Sequence, residues 1–280
     1  MNYSTDKRWR QFEMMPNIWM KKPILVVILL ALALATVPSG YTQIVAKDLV
    51  SYWSFDPGKM QGKKVLDGIG KHNGNIQGAV KSVKGKIGQA LEFDGDKANF
   101  VQFDGAKDVD FSKDFTWMCW IKTSDKGVIF AKTGAPGSDA KGPKTWWISD
   151  KVLSFDVGWV GNVKDAEAQP ADGKWHHVAI AAEGKSGNLQ YYVDGEATGK
   201  GAMAGINKFP EDSFKQRLKL GQDGRCDGHF GYFKGLIDEF AVYTRLLDAN
   251  EVKQNAKSAR GLAVEPGDKL SLKWSELKVR

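Results

Sequence analysis

The chain has 280 residues, 26% of them charged and 42% hydrophobic, with a formal net charge of +7. This is the balance of an ordinary globular protein, and it excludes a mainly disordered chain, a collagen-like chain and a multispanning membrane protein. Glycine is enriched at 31 residues, and aromatics reach 11% with ten tryptophans. That combination points to many turns between short apolar strands.

Residues 24–35 read ILVVILLALALA, an unbroken apolar run. A spanning helix needs about 20 such residues, whereas the apolar region of an export signal takes roughly 7–15. Lys21 and Lys22 precede the run, and Ser39 and Gly40 follow it. Residues 1–40 are therefore read as an export signal, with an uncleaved membrane anchor as the alternative. Met20 stands just before the lysines, so residues 1–19 are a candidate mis-called start. Both readings place the remainder outside the cytoplasm, extracellular or in the cell envelope, touching a membrane only through this segment. Residues 41–280 carry 35 Lys and Arg against 31 Asp and Glu. With no long basic run among them, a nucleic-acid partner is not expected.

Strand composition recurs along the rest of the chain, at Leu49–Phe55, Ala90–Phe93, Phe100–Phe103, Phe115–Lys122, Gly127–Ala131 and Thr145–Ser149. It continues at Val152–Val157, Trp175–Ala182, Leu189–Val193, Arg217–Leu220 and Leu236–Tyr243. The Asp-Gly pairs at Asp94, Asp104, Asp172 and Asp194 suit turns, because both residues tolerate positive φ. Helical spacing is confined to Asp248–Lys257, where Asp248 and Glu251 form a capping-box pattern and Gly261 is a plausible stop. One short helix among many strands gives an all-β, two-sheet antiparallel sandwich. Residues 41–260 show no seam and read as one domain. The tail, 261–280, carries a Pro266-Gly267 turn and the alternating Leu270, Leu272 and Trp274 of a closing strand.

Five segments, in order, resemble the laminin G-like, concanavalin A-like jelly roll in its bacterial version. They are LVSYWSFD (Leu49–Asp56), GKIGQALEFDG (Gly85–Gly95), DFTWMCWIK (Asp114–Lys122), WHHVAIAAEGKSGNLQYYVDG (Trp175–Gly195) and GLIDEFAVYTRLL (Gly235–Leu247). The resemblance implies a jelly-roll sandwich with a concave face. It also implies secreted or surface proteins that bind glycans or other proteins, often with calcium. The same fold hosts lectins and glycosidases, so it does not name the ligand.

On a regular strand Leu236, Asp238, Phe240 and Val242 share one face, and three of them are apolar. Asp238 is then expected on a core face, where a carboxylate needs a partner. First and last strands tend to be neighbours in jelly rolls, which would bring Asp56 near Asp238 as a shared calcium site. Backbone N–H groups or a buried Lys or Arg are the alternative partners. Asp238 and Glu239 are adjacent and expected to face opposite ways, so they do not form a catalytic pair across a glycosidic bond. The neighbours His176 and His177 likewise diverge, one packed and one wet. Ligand contacts are expected from Trp120, Trp146, Trp147 and Trp159, since sugar rings stack on exposed aromatic faces. Of Trp146 and Trp147, one should face the core and the other the solvent or a groove. Cys119 lies on the core stripe Phe115, Trp117, Cys119, Ile121. Its pairing with Cys226 is open in an exported protein, although two separate thiols are favoured.

The expected function is a non-catalytic secreted or surface-tethered binding module for glycans or extracellular proteins, with calcium as its one candidate cofactor. A glycoside hydrolase or polysaccharide lyase on the same fold is the first alternative. A purely structural cell-envelope domain is the second.

Overall fold

A computed structural model describes residues 43–105, 108–134, 142–208, 217–224 and 228–258. The apolar run 24–35, Cys226, Gly261 and the tail 261–280 lie outside the described residues. Among the described residues no helix is long and apolar enough to cross a membrane.

In chain order the strands begin with β1 Leu49–Trp53, β2 Met60–Gln61, β3 Lys64–Val65, β4 Gly74–Gln77, β5 Lys81–Lys84 and β6 Gln89–Asp94. Next come β7 Phe100–Phe103, β8 Phe115–Lys122, β9 Gly127–Thr133, β10 Lys144–Ser149, β11 Val152–Val157 and β12 Gly161–Lys164. The last are β13 Trp175–Ala182, β14 Asn188–Val193, β15 Glu196–Ala202, β16 Arg217–Leu220 and β17 Lys234–Tyr243, followed by helix α1, Ala249–Ala256. They form two antiparallel sheets. One has eight strands in the order β15-β14-β13-β8-β17-β6-β5, with β1 also on β17; the other has nine, β12-β11-β10-β9-β16-β7-β4-β3-β2. This is the expected jelly-roll sandwich with one short C-terminal helix. Every strand expected within the described residues is present. Of the six that were not expected, β2, β3, β5, β12 and β15 lie at or next to sheet edges, and β4 lies one strand further in. Edge strands keep polar side chains because one side of their ladder faces water, so their apolar alternation is weak.

The core between the sheets is built from alternate residues. Phe115, Trp117, Cys119 and Ile121 of β8 face Phe130, Trp146 and Phe155 of the other sheet. Trp117 meets Phe130 edge-on at 4.8 Å, and Trp53 stacks on Phe103 at 4.0 Å. The intervening residues of β8 are buried too. Thr116, Met118 and Trp120 lie on the outer face of the eight-stranded sheet, which carries a second cluster including Tyr52, Tyr243, Leu247 and Val252. Burial on both faces explains why β8 reads as a continuous apolar run.

Helix α1 covers part of that outer face and fastens the start of the domain. Asp248 accepts from the Glu251 N–H at 2.9 Å and Glu251 accepts in return at 3.1 Å, completing the capping box. Arg245 grips Glu251 in a two-pronged pair at 2.6 and 2.8 Å. Asn255 accepts from the Val45 N–H at 2.7 Å and donates to the Tyr243 hydroxyl. The C-cap is Lys257, before Gly261.

β17 departs from the expected regular strand. Its pairing with β8 shifts between Asp238 and Ala241, so that Glu239 and Phe240 together oppose Cys119. Glu239 takes a left-handed backbone, φ 54. This β-bulge resets the alternation. Asp238 pairs opposite the outer-facing Trp120, whereas Phe240 and Val242 belong to the core. The expectation that Leu236, Asp238, Phe240 and Val242 share a face is thus corrected, because one extra residue flips everything beyond it.

Candidate functional site

β17 has one long neighbour, β8, and two short ones placed end to end on its other edge. β6 pairs with Lys234–Ile237 and β1 pairs with Phe240–Tyr243. At the junction β1 has ended and β6 has barely begun, so the N–H groups of the turn Gly85–Gly88 lack a strand partner. Carboxylates take that place. Asp238 Oδ2 accepts from the N–H groups of Lys86 and Ile87 at 2.9 and 3.0 Å. Asp56 Oδ1 accepts from the Gln89 N–H at 2.9 Å. The glycines are dictated by the same fit. A Cβ on Gly85 would lie 2.5 Å from Asp238 Oδ2, and one on Gly88, which has φ +56, would collide with Asp56 Oδ1.

Asp238 is completely buried. Burial pushes its carboxyl up to about 7; the Ile87 and Lys86 N–H groups pull the other way, and the charge of Asp56 adds to the rise. Its Oδ1 has no hydrogen-bond partner among the described residues. For calcium, the fit consists of that oxygen and Oδ2 of Asp56. The rest of the six or more oxygens a calcium ion takes would come from main-chain carbonyls or water. Among the described residues no group of three or more His, Cys, Asp or Glu is arranged to hold a metal ion.

The bulge also corrects the expectation that Asp238 and Glu239 face opposite ways. Glu239 lines a small cavity with Trp120, His177 and Tyr52, on the outer face that Asp238 also occupies. It is 7% exposed, both its oxygens lack partners among the described residues, and burial pushes its carboxyl up to about 8. The cavity is too small for a sugar, at about 10 Å³.

The four tryptophans singled out from sequence are dispersed. Trp146 is fully buried in the core. Trp147 faces outward from the nine-stranded sheet, but it is only 7% exposed because Phe230 packs on it at 4.5 Å. Trp120 is equally covered, with the Lys86 ammonium 4.5 Å over its ring and His177 against its edge. Trp159 alone is open, at 77% exposure, in the β11–β12 turn with φ 69. Two groups beside Trp147 were not anticipated: Thr145 and Ser154 are buried on the same outer face, and their hydroxyls lack partners among the described residues. Sequence alternation around Trp146 could have placed Thr145, but Ser154 needs the strand register.

Two open grooves lie on the eight-stranded sheet. One, about 530 Å³, is edged by Lys81, Glu92, Asp94, Lys122 and Lys234; the other, about 700 Å³, by Glu183, Gln190, Tyr192, Lys200 and Leu246. Neither contains a tryptophan.

The histidines behave as structural groups. His177 is buried, and burial holds its imidazole down to about 4 against the pull of Asp194. His176 is partly exposed between Asp194 and Asp172, at 2.8 and 3.0 Å. His72 imitates a relay, with Ser51 Oγ at 2.5 Å and Asp108 at 3.6 Å on the other ring nitrogen. Ser51 is 1% exposed, so no substrate reaches it. Cys119 is a buried free thiol, pushed upward by burial and by Asp238.

Comparison with known proteins agrees with this architecture. The fourth domain of AbnA, a GH43 extracellular arabinanase from Geobacillus stearothermophilus solved with arabinotriose, is 20% identical. That match covers 75% of this chain and 98% of that one, with a TM-score of 0.55. The binding domain of Paraclostridial Mosquitocidal Protein 1 is 14% identical over 76% of this chain and 55% of its own, TM-score 0.55. Trypanosoma rangeli sialidase is 14% identical over 84% of this chain and 38% of its own, TM-score 0.56. The chain thus spans about half of the toxin domain and less of the sialidase. No curated protein matches significantly. The profile of the concanavalin A-like lectin/glucanases superfamily (Laminin_G_3) matches residues 94–253, more than half of the sequence, and the chain belongs to that family.

Proposed function

We propose that the chain is a non-catalytic recognition module for glycans or extracellular proteins, using the outer face of the nine-stranded sheet and the loop rim beside it. The observation that carries this reading is Trp159. It is 77% exposed on a left-handed backbone that costs a non-glycine residue conformational energy. Its indole gains little from the fold there, whereas the apolar C–H face of a sugar ring would cover it. On the same hairpin Asp156 is partly exposed on the outer face, whereas Ser154, Thr145 and Trp147 are buried there. The toxin binding domain and the arabinotriose-bound domain lend support by their architecture. Asp56, Asp238 and Glu239 cap backbone groups or lie shut inside, which favours binding over hydrolysis, a reaction that needs two carboxylates across an open cleft.

Calcium belongs to the proposal as a structural ion at Asp56 and Asp238, organising the turn between them. So does export, which rests on the order of Lys21, Lys22, the apolar run and Ser39. The test is a glycan array with and without calcium, alongside Trp159→Ala. The variant should fold normally and lose roughly tenfold in affinity, the effect of about 1.4 kcal/mol at a central aromatic contact. New reducing ends in a polysaccharide digest would instead install the hydrolase reading. The absence of any saturable binding would leave a structural domain.

A further inference from the structure

The small cavity beside Glu239 is built from four elements. Tyr52 comes from β1, His177 from β13, Glu239 from the bulge of β17, and Ser258 follows helix α1. Each residue is buried, between 3% and 7% exposed. Tyr52 Oη, His177 Nδ1, both Glu239 oxygens and Ser258 Oγ have no protein partner, five of eleven such side-chain atoms among the described residues. Their gathering at one point is therefore a feature of the site rather than scatter. Register brings two of them together. His177 pairs opposite Trp120, Trp120 pairs opposite Asp238, and Tyr52 alternates with the core-facing Trp53. The bulge supplies the third by turning Glu239 onto the same face, and the chain just after the end of helix α1 supplies the fourth, Ser258.

The cavity measures about 10 Å³, the lower bound of what one water molecule occupies. Its chemistry matches as well. Two hydroxyls, of Tyr52 and Ser258, can donate, while a Glu239 oxygen and His177 Nδ1, in the tautomer protonated on Nε2, can accept. A water molecule accepts two hydrogen bonds and donates two. Only His177 and Glu239 are groups that metals favour, and among the described residues no third such group joins them. We propose that this cavity is a binding site for one water molecule, held by Tyr52, His177, Glu239 and Ser258, which fastens the end of helix α1 to the sheet beneath. The site is independent of the Trp159 surface, so either can fail alone.

Water-oxygen relaxation dispersion on the whole protein should detect the long-lived molecule. Tyr52→Phe and Ser258→Ala should each lower the melting temperature, and the double variant should lose one long-lived water. Because both hydroxyls act through the same molecule, the double loss should fall short of the sum of the single losses by 2 °C or more. Additive shifts with an unchanged water signal would overturn the proposal. So would a wild-type protein without a long-lived water. A zinc- or calcium-dependent rise in melting temperature that Glu239→Gln abolishes would put an ion in its place.

Discussion

Gly88→Ala tests the account of the junction between β1 and β6. The substitution adds one carbon at φ +56, where it collides with Asp56 Oδ1. Left-handed backbone costs a non-glycine residue about 1–2 kcal/mol. Displacing Asp56 breaks its 2.9 Å bond from the Gln89 N–H, and hydrogen bonds to charged groups contribute about 1.5–3 kcal/mol. The stiffer unfolded chain returns about 0.4–1 kcal/mol. The net loss is therefore about 2–4 kcal/mol, or roughly 5–15 °C in melting temperature for a domain of this size. Gly173→Ala is the matched control: φ is +84 and nothing lies within 4 Å of the added carbon. It carries the backbone cost alone, and should shift the melt by roughly 2–5 °C. Thermal melts followed by tryptophan fluorescence would compare the two. Equal shifts would refute the claim that the carboxylate, rather than backbone strain, makes glycine necessary at position 88.

Stability should fall as pH rises through neutrality. The Glu239 and Asp238 carboxyls are held up to about 8 and about 7. A raised carboxyl adds stability that is complete below its unfolded value of about 4 and is lost as pH climbs through the folded value. His177, held down to about 4, has the opposite sign and loses its contribution as pH falls from about 6.5 toward 4. The decline in melting temperature is thus expected up to about pH 8 and is steepest between about pH 6.5 and 7, where both carboxyls act and His177 no longer opposes them, and Glu239→Gln should flatten it; identical profiles would contradict the assignment. After chelation, added calcium should raise the melt of the wild type but not of Asp56→Asn, and an unchanged wild-type melt counts against an ion at this turn. Trp159→Gly should relieve backbone strain and raise stability by about 0.5–1 kcal/mol while weakening glycan binding, so a loss of both would mean that Trp159 packs in the fold.

The central strands were legible because they are buried on one or both faces, so their apolar residues are dense and bounded by glycine and aspartate. The capping box of helix α1 was legible for a different reason: Asp248 and Glu251 act over three residues, a distance that sequence shows directly. The bulge at Glu239 was not legible. GLIDEFAVY alternates plausibly without it, and only pairing with β8 reveals the inserted residue. That one residue changed the expected face of Asp238 and the expected divergence from Glu239. Tryptophan exposure was similarly hidden. Trp147 is outward-facing by alternation, yet it is covered by Phe230, more than eighty positions away. Trp159 follows the end of β11 after Gly158, and nothing local distinguishes it from a packed residue.

The same physical problem connects the family motifs, which sequence presents as five separate segments. A jelly roll that sets two strands end to end along one neighbour must break a ladder, and the broken ladder leaves amide groups inside the protein. Asp56, from the first motif, and Asp238, from the last, accept from those amides. The glycines of the second motif leave room for them to do so. Trp120 of the third and His177 of the fourth close the face over the bulge. One oxygen of each acid, Asp238 Oδ2 and Asp56 Oδ1, is therefore committed to construction, turned to main-chain N–H groups. The proposed recognition role then falls to side chains that the construction leaves free, and among the described residues Trp159 is the large aromatic that stands most exposed.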